Sequence, residues 1–387
     1  MTLRSTNAPR IVRSTNHPRR TVSAATVALA LSFACQQAPV ASTQARPPIL
    51  AGTGTRSGNV ADSVALRFMH GVSLSEPNAF NHPLRLDWSD SSLVVLDRKT
   101  NPEIQVLSPT SGRRLASFGQ EGDPYWKGAW TASGVPGVRD SIVVFDATTR
   151  IAWVIALSDP TASTGRQISF GKQSRLTEIR GLANGGFVGT GFLPVSRYAL
   201  FDSRGRLTKA FGDIPAWSDS APFEVRQQAY LANMITNPSG TRIATATQYG
   251  DRIEILGEDG TVIAPAERPR MVEPAYAVVR PANGRAFMAQ VPETRQGYIA
   301  LAASERHIFA LWSGRTRSGS GPPASSGKTV FAFSWGGRHE GTLVLDRDAN
   351  AIAVDATEGN LYALATQPLP TLMKYNLRDR GGVVDNR

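Results

Sequence analysis

Three aspartates close similar short runs of apolar residues: Asp97 ends SLVVLD (92–97), Asp146 ends SIVVFD (141–146) and Asp355 ends AIAVD (351–355). Carboxylates gathered about a common axis supply the hard oxygen ligands that Ca²⁺ prefers. Such a set would suit a Ca²⁺-dependent hydrolase or lyase. The competing reading is local, since an Asp at a strand end accepts hydrogen bonds from its own turn. Comparable places elsewhere carry Gly191, Gln248 and Trp312, which favours the turn. A second candidate is aromatic. Tyr125, Trp126 and Trp130 share one short loop, and Arg197 stands beside Tyr198. Trp and Tyr join a large apolar area to a polar handle, which suits recognition of a ligand or protein partner. The same loop would serve equally well as an apolar plug at one end of a fold.

Further signs of catalysis are absent or are decoys. The chain has no HExxH, GxSxG or EF-hand pattern. Its five histidines (His17, His70, His82, His307, His339) show no paired spacing, and His307, at the start of a strand, reads as structural. GPPASSGKT (321–329) imitates a phosphate loop. One residue too many separates Gly321 from Gly327, and strand-forming residues follow, so no helix amino terminus is available to hold phosphate. Residues 313–328 read instead as a long flexible hairpin loop, able to cover one face as a flap. The chemistry leans away from an enzyme and towards a binding module, with no cofactor required and Ca²⁺ the one to consider.

Lys and Arg number 42 against 31 Asp and Glu, a net charge of +11. Five of the arginines (Arg4, Arg10, Arg13, Arg19, Arg20) precede Cys35 with no acidic residue among them, which leaves +6 for the rest of the chain. That remainder is scattered and forms no basic stripe, so a nucleic-acid partner is not expected. The basic amino terminus is followed by an apolar run at 21–34, too short for a spanning helix of about 20 residues. Together they form the pattern of a secretory signal. The run ends LSFAC (31–35), similar to a bacterial lipobox, although Leu31 lies one place further from the cysteine than usual and Phe33 intervenes. Lipidation of Cys35 would anchor the chain in the cell envelope; the alternative is an incidental cysteine beside an ordinary cleavage site. Gln36 in place of an acidic residue leans towards the outer membrane, and Arg19-Arg20 hints at twin-arginine export. Residues 36–59, rich in Pro, Ala, Ser, Thr and Gly, read as a flexible tether. Cys35 is the sole cysteine, so no intramolecular disulfide forms and an apolar core must stabilise the domain.

What positions the candidate residues is a repeat. An apolar strand, a second strand, a Gly turn and a third strand recur from SLVVLD (92–97), SIVVFD (141–146), GFVGTG (186–191), RIATATQ (242–248), HIFALW (307–312) and AIAVDA (351–356). The first strand of each copy is nearly all apolar, as in a strand covered on both faces. A lone small sheet cannot bury such faces, whereas sheets arranged radially can. The spacing is about 48 residues, close to the period of a propeller blade. The last copy has room for three strands, and residues 63–70 (SVALRFMH) are placed to supply the fourth from the other end of the chain. Residues 222–238 break the pattern and read as a short helix or turn leading into the fourth blade.

Three segments, FGQEGDPYW (118–126), NPSGTRIATATQYGDRIEIL (237–256) and VLDRDANAIAVDATEGNLYAL (344–364), resemble the TolB-like six-bladed β-propeller lipoproteins of bacterial envelopes. Asp123, Tyr125 and Trp126 depart from that family's first loop. The resemblance implies a fold and an envelope location but no ligand. The expected organisation is a signal segment at 1–35, a linker at 36–59, a single all-β six-bladed propeller at 60–378 and a tail at 379–387.

Overall fold

Runs such as SLVVLD and SIVVFD have no polar side to offer water, so a partner must cover each face of the strand they form. The computed structural model meets this demand with a ring of small sheets. It describes residues 65–76, 79–98, 100–119, 131–158, 165–171, 175–215, 221–282, 284–319 and 321–378. Cys35, the tether, and the loop with Tyr125, Trp126 and Trp130 lie outside these residues.

Two short strands, β1 (Ala65–Met69) and β2 (Val72–Ser73), precede the first blade. Blade one is β3 (Pro83–Ser89), β4 (Ser92–Asp97), β5 (Ile104–Leu107) and β6 (Arg114–Phe118). Blade two is β7 (Thr131–Val135), β8 (Val138–Asp146), β9 (Ile151–Ala156) and β10 (Arg166–Ser169). Blade three is β11 (Arg175–Gly181), β12 (Phe187–Phe192), β13 (Tyr198–Phe201) and β14 (Leu207–Phe211). The helix α1 (Phe223–Ala229) leads into blade four: β15 (Ala232–Thr236), β16 (Arg242–Thr247), β17 (Ile253–Gly257) and β18 (Val262–Pro265). A hairpin, β19 (Tyr276–Val279) and β20 (Phe287–Gln290), follows. The remaining strands are β21 (Tyr298–Ala303), β22 (His307–Trp312), β23 (Gly327–Ser334), β24 (His339–Val354), β25 (Asn360–Ala365) and β26 (Thr371–Asn376).

Within each of the first four blades the strands pair antiparallel in chain order. The last two blades are fused. The first part of β24 pairs with β23 and its last part pairs with β25, the changeover falling at Ala349. The innermost strands β3, β7, β11, β15, β21 and the end of β24 touch in that order, and β24 touches β3 again, which closes the ring.

The second strand of each blade explains the apolar runs. In β4, Val94 and Leu96 pack on Ile142 and Val144 of blade two, while Leu93 and Val95 pack on Ala353 and Tyr362 of blade six. Successive residues therefore face opposite neighbours, and both sets are buried. Equivalent clusters fill the other gaps around the ring. Turns between third and fourth strands reach the preceding blade. Gly337 has φ 89°, and a Cβ there would lie 2.6 Å from the Pro265 carbonyl oxygen, so only glycine fits.

Four expectations need correction. The repeat was read one strand late in five of its copies: the first apolar runs are second strands, and the innermost strands before them are more polar. Of the segment 63–70, the described strand, Ala65–Met69, does not complete the last blade. Val72 and Ser73 do so by pairing with Lys374 and Met373, while β1 lies parallel to β24 on blade five. Gly71 makes the crossing between the two possible, because a Cβ there would meet the Tyr375 ring at 2.7 Å. The segment 222–238 is helical only in its first half, and its second half is the innermost strand β15. The loop read as a flap is held down: Arg315 donates to the Ser326 carbonyl at 2.9 Å and pairs with Asp348 at 2.6 Å, and Gly327 with Lys328 already belongs to β23.

Candidate functional site

The innermost strands run alongside one another, so their carboxy-terminal ends and the turns that follow meet on one face. There they surround a vestibule of about 320 Å³ on the propeller axis, to which all six blades contribute. Apolar residues form part of its walls, Trp88, Val135, Ile235, Leu301, Ile352 and Val354 among them. Polar groups contribute nearly as much of the surface: Asp87, Ser89, Asp90, Ser133, Arg139, Arg180, Thr236 and Asn237.

Arg180 defines the floor. It lines both the vestibule and a much smaller cavity deeper along the inner strands. Its guanidinium reaches across the axis. Nη1 pairs with the Asp87 carboxylate of blade one, Nη2 donates to Glu178 Oε1 at 2.9 Å, and Nε donates to the Met234 carbonyl of blade four at 3.1 Å. Glu178 Oε2 in turn accepts the Met234 N–H at 3.1 Å. One cation thus ties blades one, three and four at the axis. Burial lowers the affinity of Arg180 for its proton, but Asp87 and Glu178 outweigh this and hold it above the ordinary range. For Asp87 the balance goes the other way: burial lifts its carboxyl above the usual carboxylate range despite Arg180 beside it.

The rim is interlocked, which keeps the vestibule open and shaped. Pro136 of blade two packs so tightly on Gly181 and Gly240 that a Cβ at either would approach its ring within 2.8 Å and 2.6 Å. Glu305 of blade five accepts the Ser239 N–H at 2.6 Å and an Asn237 Nδ2 bond at 2.8 Å from blade four. Glu358 of blade six grips Arg306 and His307 of blade five at 2.8 Å and 2.9 Å. His307 is therefore a structural tie, with Glu340 on its other ring nitrogen at 2.8 Å.

The structure does not bring Asp97, Asp146, Asp355, Arg197 or Tyr198 into this site, while Tyr125, Trp126 and Trp130 lie outside the described residues. Asp97 accepts the backbone N–H groups of Asn81 (3.0 Å) and His82 (2.6 Å) and the Thr100 hydroxyl. Asp146 caps Thr148 and Thr149. Asp355 is taken by Thr357, Gly359 and Asn360. Asp97 and Asp146 end second strands, whereas Asp355 ends an innermost strand, so antiparallel pairing puts them at opposite ends of their blades. Among the described residues no three His, Cys, Asp or Glu side chains converge to hold a metal ion. Arg197 and Tyr198 are buried between blades three and four, not on an open face. Arg197 pairs with Glu254, and the Tyr198 hydroxyl lies 2.7 Å from both Glu254 and Thr245. Burial pushes the Tyr198 phenol up, so it stays neutral.

The residues that sequence reasoning missed are Asp87, Ser133, Glu178 and Arg180, all on inner strands. A signal was present. PLRLDWS alternates polar and apolar residues for one strand length just before an apolar run, and RLTEIRG does so with one break at Thr177-Glu178.

A sequence model of the TolB-like 6-blade propeller-like family matches residues 69–357. Among solved structures, the β-propeller domain of Cps50 (Swd1) from Myceliophteria thermophila is 10% identical, with a TM-score of 0.42, over 78% of this chain and 98% of that one. U3-55K is 11% identical, with a TM-score of 0.45, over 79% and 84%. No curated protein matches the chain.

Proposed function

Because the chain belongs to the TolB-like six-bladed propeller family, we propose that it is a non-catalytic binding or scaffold module of the cell envelope that receives its ligand at the axial vestibule. The observation that carries this reading is the vestibule itself: a preformed concave site with mixed apolar and polar walls, built by every blade. The envelope location is supported by the basic and apolar amino terminus, the lipobox-like end at Cys35 and the tether after it. Among the described residues no helix is long and apolar enough to cross a membrane; in this reading a lipid at Cys35 is the anchor. The aromatic loop at Tyr125, Trp126 and Trp130 remains a second contact surface for a partner. The test is retention of envelope components by the purified protein and by an Ala356→Trp, Val138→Trp variant. Val138 and Ala356 line the vestibule and are exposed, so the added rings obstruct it without entering the core. The expected result is a component retained by the natural protein and lost by the variant. Equal retention by both would move the site elsewhere.

A further inference from the structure

Building on the vestibule as the ligand site, we propose that it selects a small organic cation, with an ammonium group seated against Asp87 and an apolar body against the apolar part of the walls. The argument begins with the charges at the floor. One guanidinium, Arg180, serves two carboxylates, Asp87 and Glu178. Glu178 is engaged at both oxygens, by Arg180 and by the Met234 N–H, and only 3% of its side chain is exposed. Asp87 is the member that reaches the vestibule, with 13% of its side chain exposed. The floor is thus one positive charge short beside a group open to a guest. Asp90 and Arg139, the other charged lining residues, offset each other, and Arg85 lines the deeper cavity instead.

A second observation is independent of charge. Ser133 lines the vestibule and is 3% exposed, and its Oγ has no hydrogen-bond partner among the described residues. A buried hydroxyl without a partner costs stability unless something bonds to it. An ammonium group carries only donors, which matches a carboxylate and a hydroxyl as acceptors. A carboxylate guest would meet the Asp87 charge. A neutral guest would leave the floor with its two carboxylates sharing the single Arg180 charge. The vestibule volume admits a ligand of one ring and a short arm.

Calorimetric titration of the purified protein with benzylammonium, benzyl alcohol and benzoate tests this. Benzylammonium should bind at least about tenfold more tightly than benzyl alcohol, which is about 1.4 kcal/mol of discrimination, and benzoate should not bind. Asp87→Asn should abolish the preference. Ser133→Ala, a small change that leaves the floor charges intact, should weaken benzylammonium several-fold and so keeps the test decisive if Asp87→Asn does not fold. Equal affinity for benzylammonium and benzyl alcohol would overturn cation selection while leaving the vestibule as the binding site. So would benzylammonium binding unchanged in both variants. Binding of none of the three probes would count against the vestibule as a small-molecule site as well.

Discussion

Replacing Arg180 with methionine keeps an apolar stem in the channel and removes the one charge that holds its floor together. The natural side chain donates to Asp87, Glu178 and the Met234 carbonyl, which belong to three blades. The variant leaves two buried carboxylates facing each other without a cation. Breaking a buried pair from one side costs about 3–5 kcal/mol, because the orphaned charge stays in the interior. The loss should depend on pH, and its sign follows from Asp87. Its carboxyl is already raised above its unfolded value, so the folded state binds protons more readily than the unfolded chain, and this contribution becomes less unfavourable as pH falls. Without Arg180 it rises further. The deficit of Arg180→Met relative to the natural protein should therefore be largest near neutral pH and shrink towards pH ~5. Urea unfolding followed by tryptophan fluorescence measures it. Replacing all three groups at once (Asp87→Leu, Glu178→Leu, Arg180→Met) should recover most of the loss, since well-packed apolar groups can substitute for a buried ionic cluster. A deficit below about 1 kcal/mol, or one that does not vary with pH, would refute the view of Arg180 as the axial tie.

Gly337→Ala should destabilise by more than about 1 kcal/mol, since it forces a side chain into φ 89° and against the Pro265 carbonyl; an unchanged unfolding midpoint would mean that the turn moves freely. His339 packs against the Phe331 and Phe333 rings, and burial holds its imidazole below the usual histidine range. Its contribution is complete above the unfolded histidine pKa and is lost as pH falls below it, so His339→Phe should remove that part of the acid-side loss in a pH series of unfolding curves. Cys35→Ser should release the protein from the membrane fraction into the soluble one; fractionation identical to the natural chain would rule out a lipid at that residue.

The apolar runs carried the architecture in plain view. A strand such as SLVVLD, with every position apolar or small but the last, can be stable only between two neighbours, and a repeat of such strands at blade spacing leaves a ring as the economical solution. The all-β class, the propeller and the family resemblance were all legible from that. The phase of the repeat was not. The inner strands at Pro83–Ser89 and Arg175–Gly181 carry Arg, Asp and Glu, and charged residues in a strand read locally as a solvated edge. The long β24, shared by two blades, and the parallel placement of β1 were equally hidden: the first runs through two blades without a turn, and the second depends on an edge offered by residues some 275 positions away.

The candidate site shows the same division. Residue type marks Trp126 or Asp97 as able to bind, but it does not say whether a carboxylate is already consumed by backbone N–H groups, as Asp97 is by Asn81 and His82 and Asp355 is by its own turn. Local sequence determined the strands, the turns and which faces had to be covered, since these follow from side-chain chemistry over a few residues. Only closure of the ring decided that Asp87, Ser133, Glu178 and Arg180, spread over 94 positions of chain, meet at the axis, in the vestibule or the small cavity beneath it. The side chains of Asp87, Glu178 and Arg180 are mostly buried there, and in that setting two carboxylates sharing one cation and an unbonded hydroxyl acquire an energetic weight that they lack on a solvated strand.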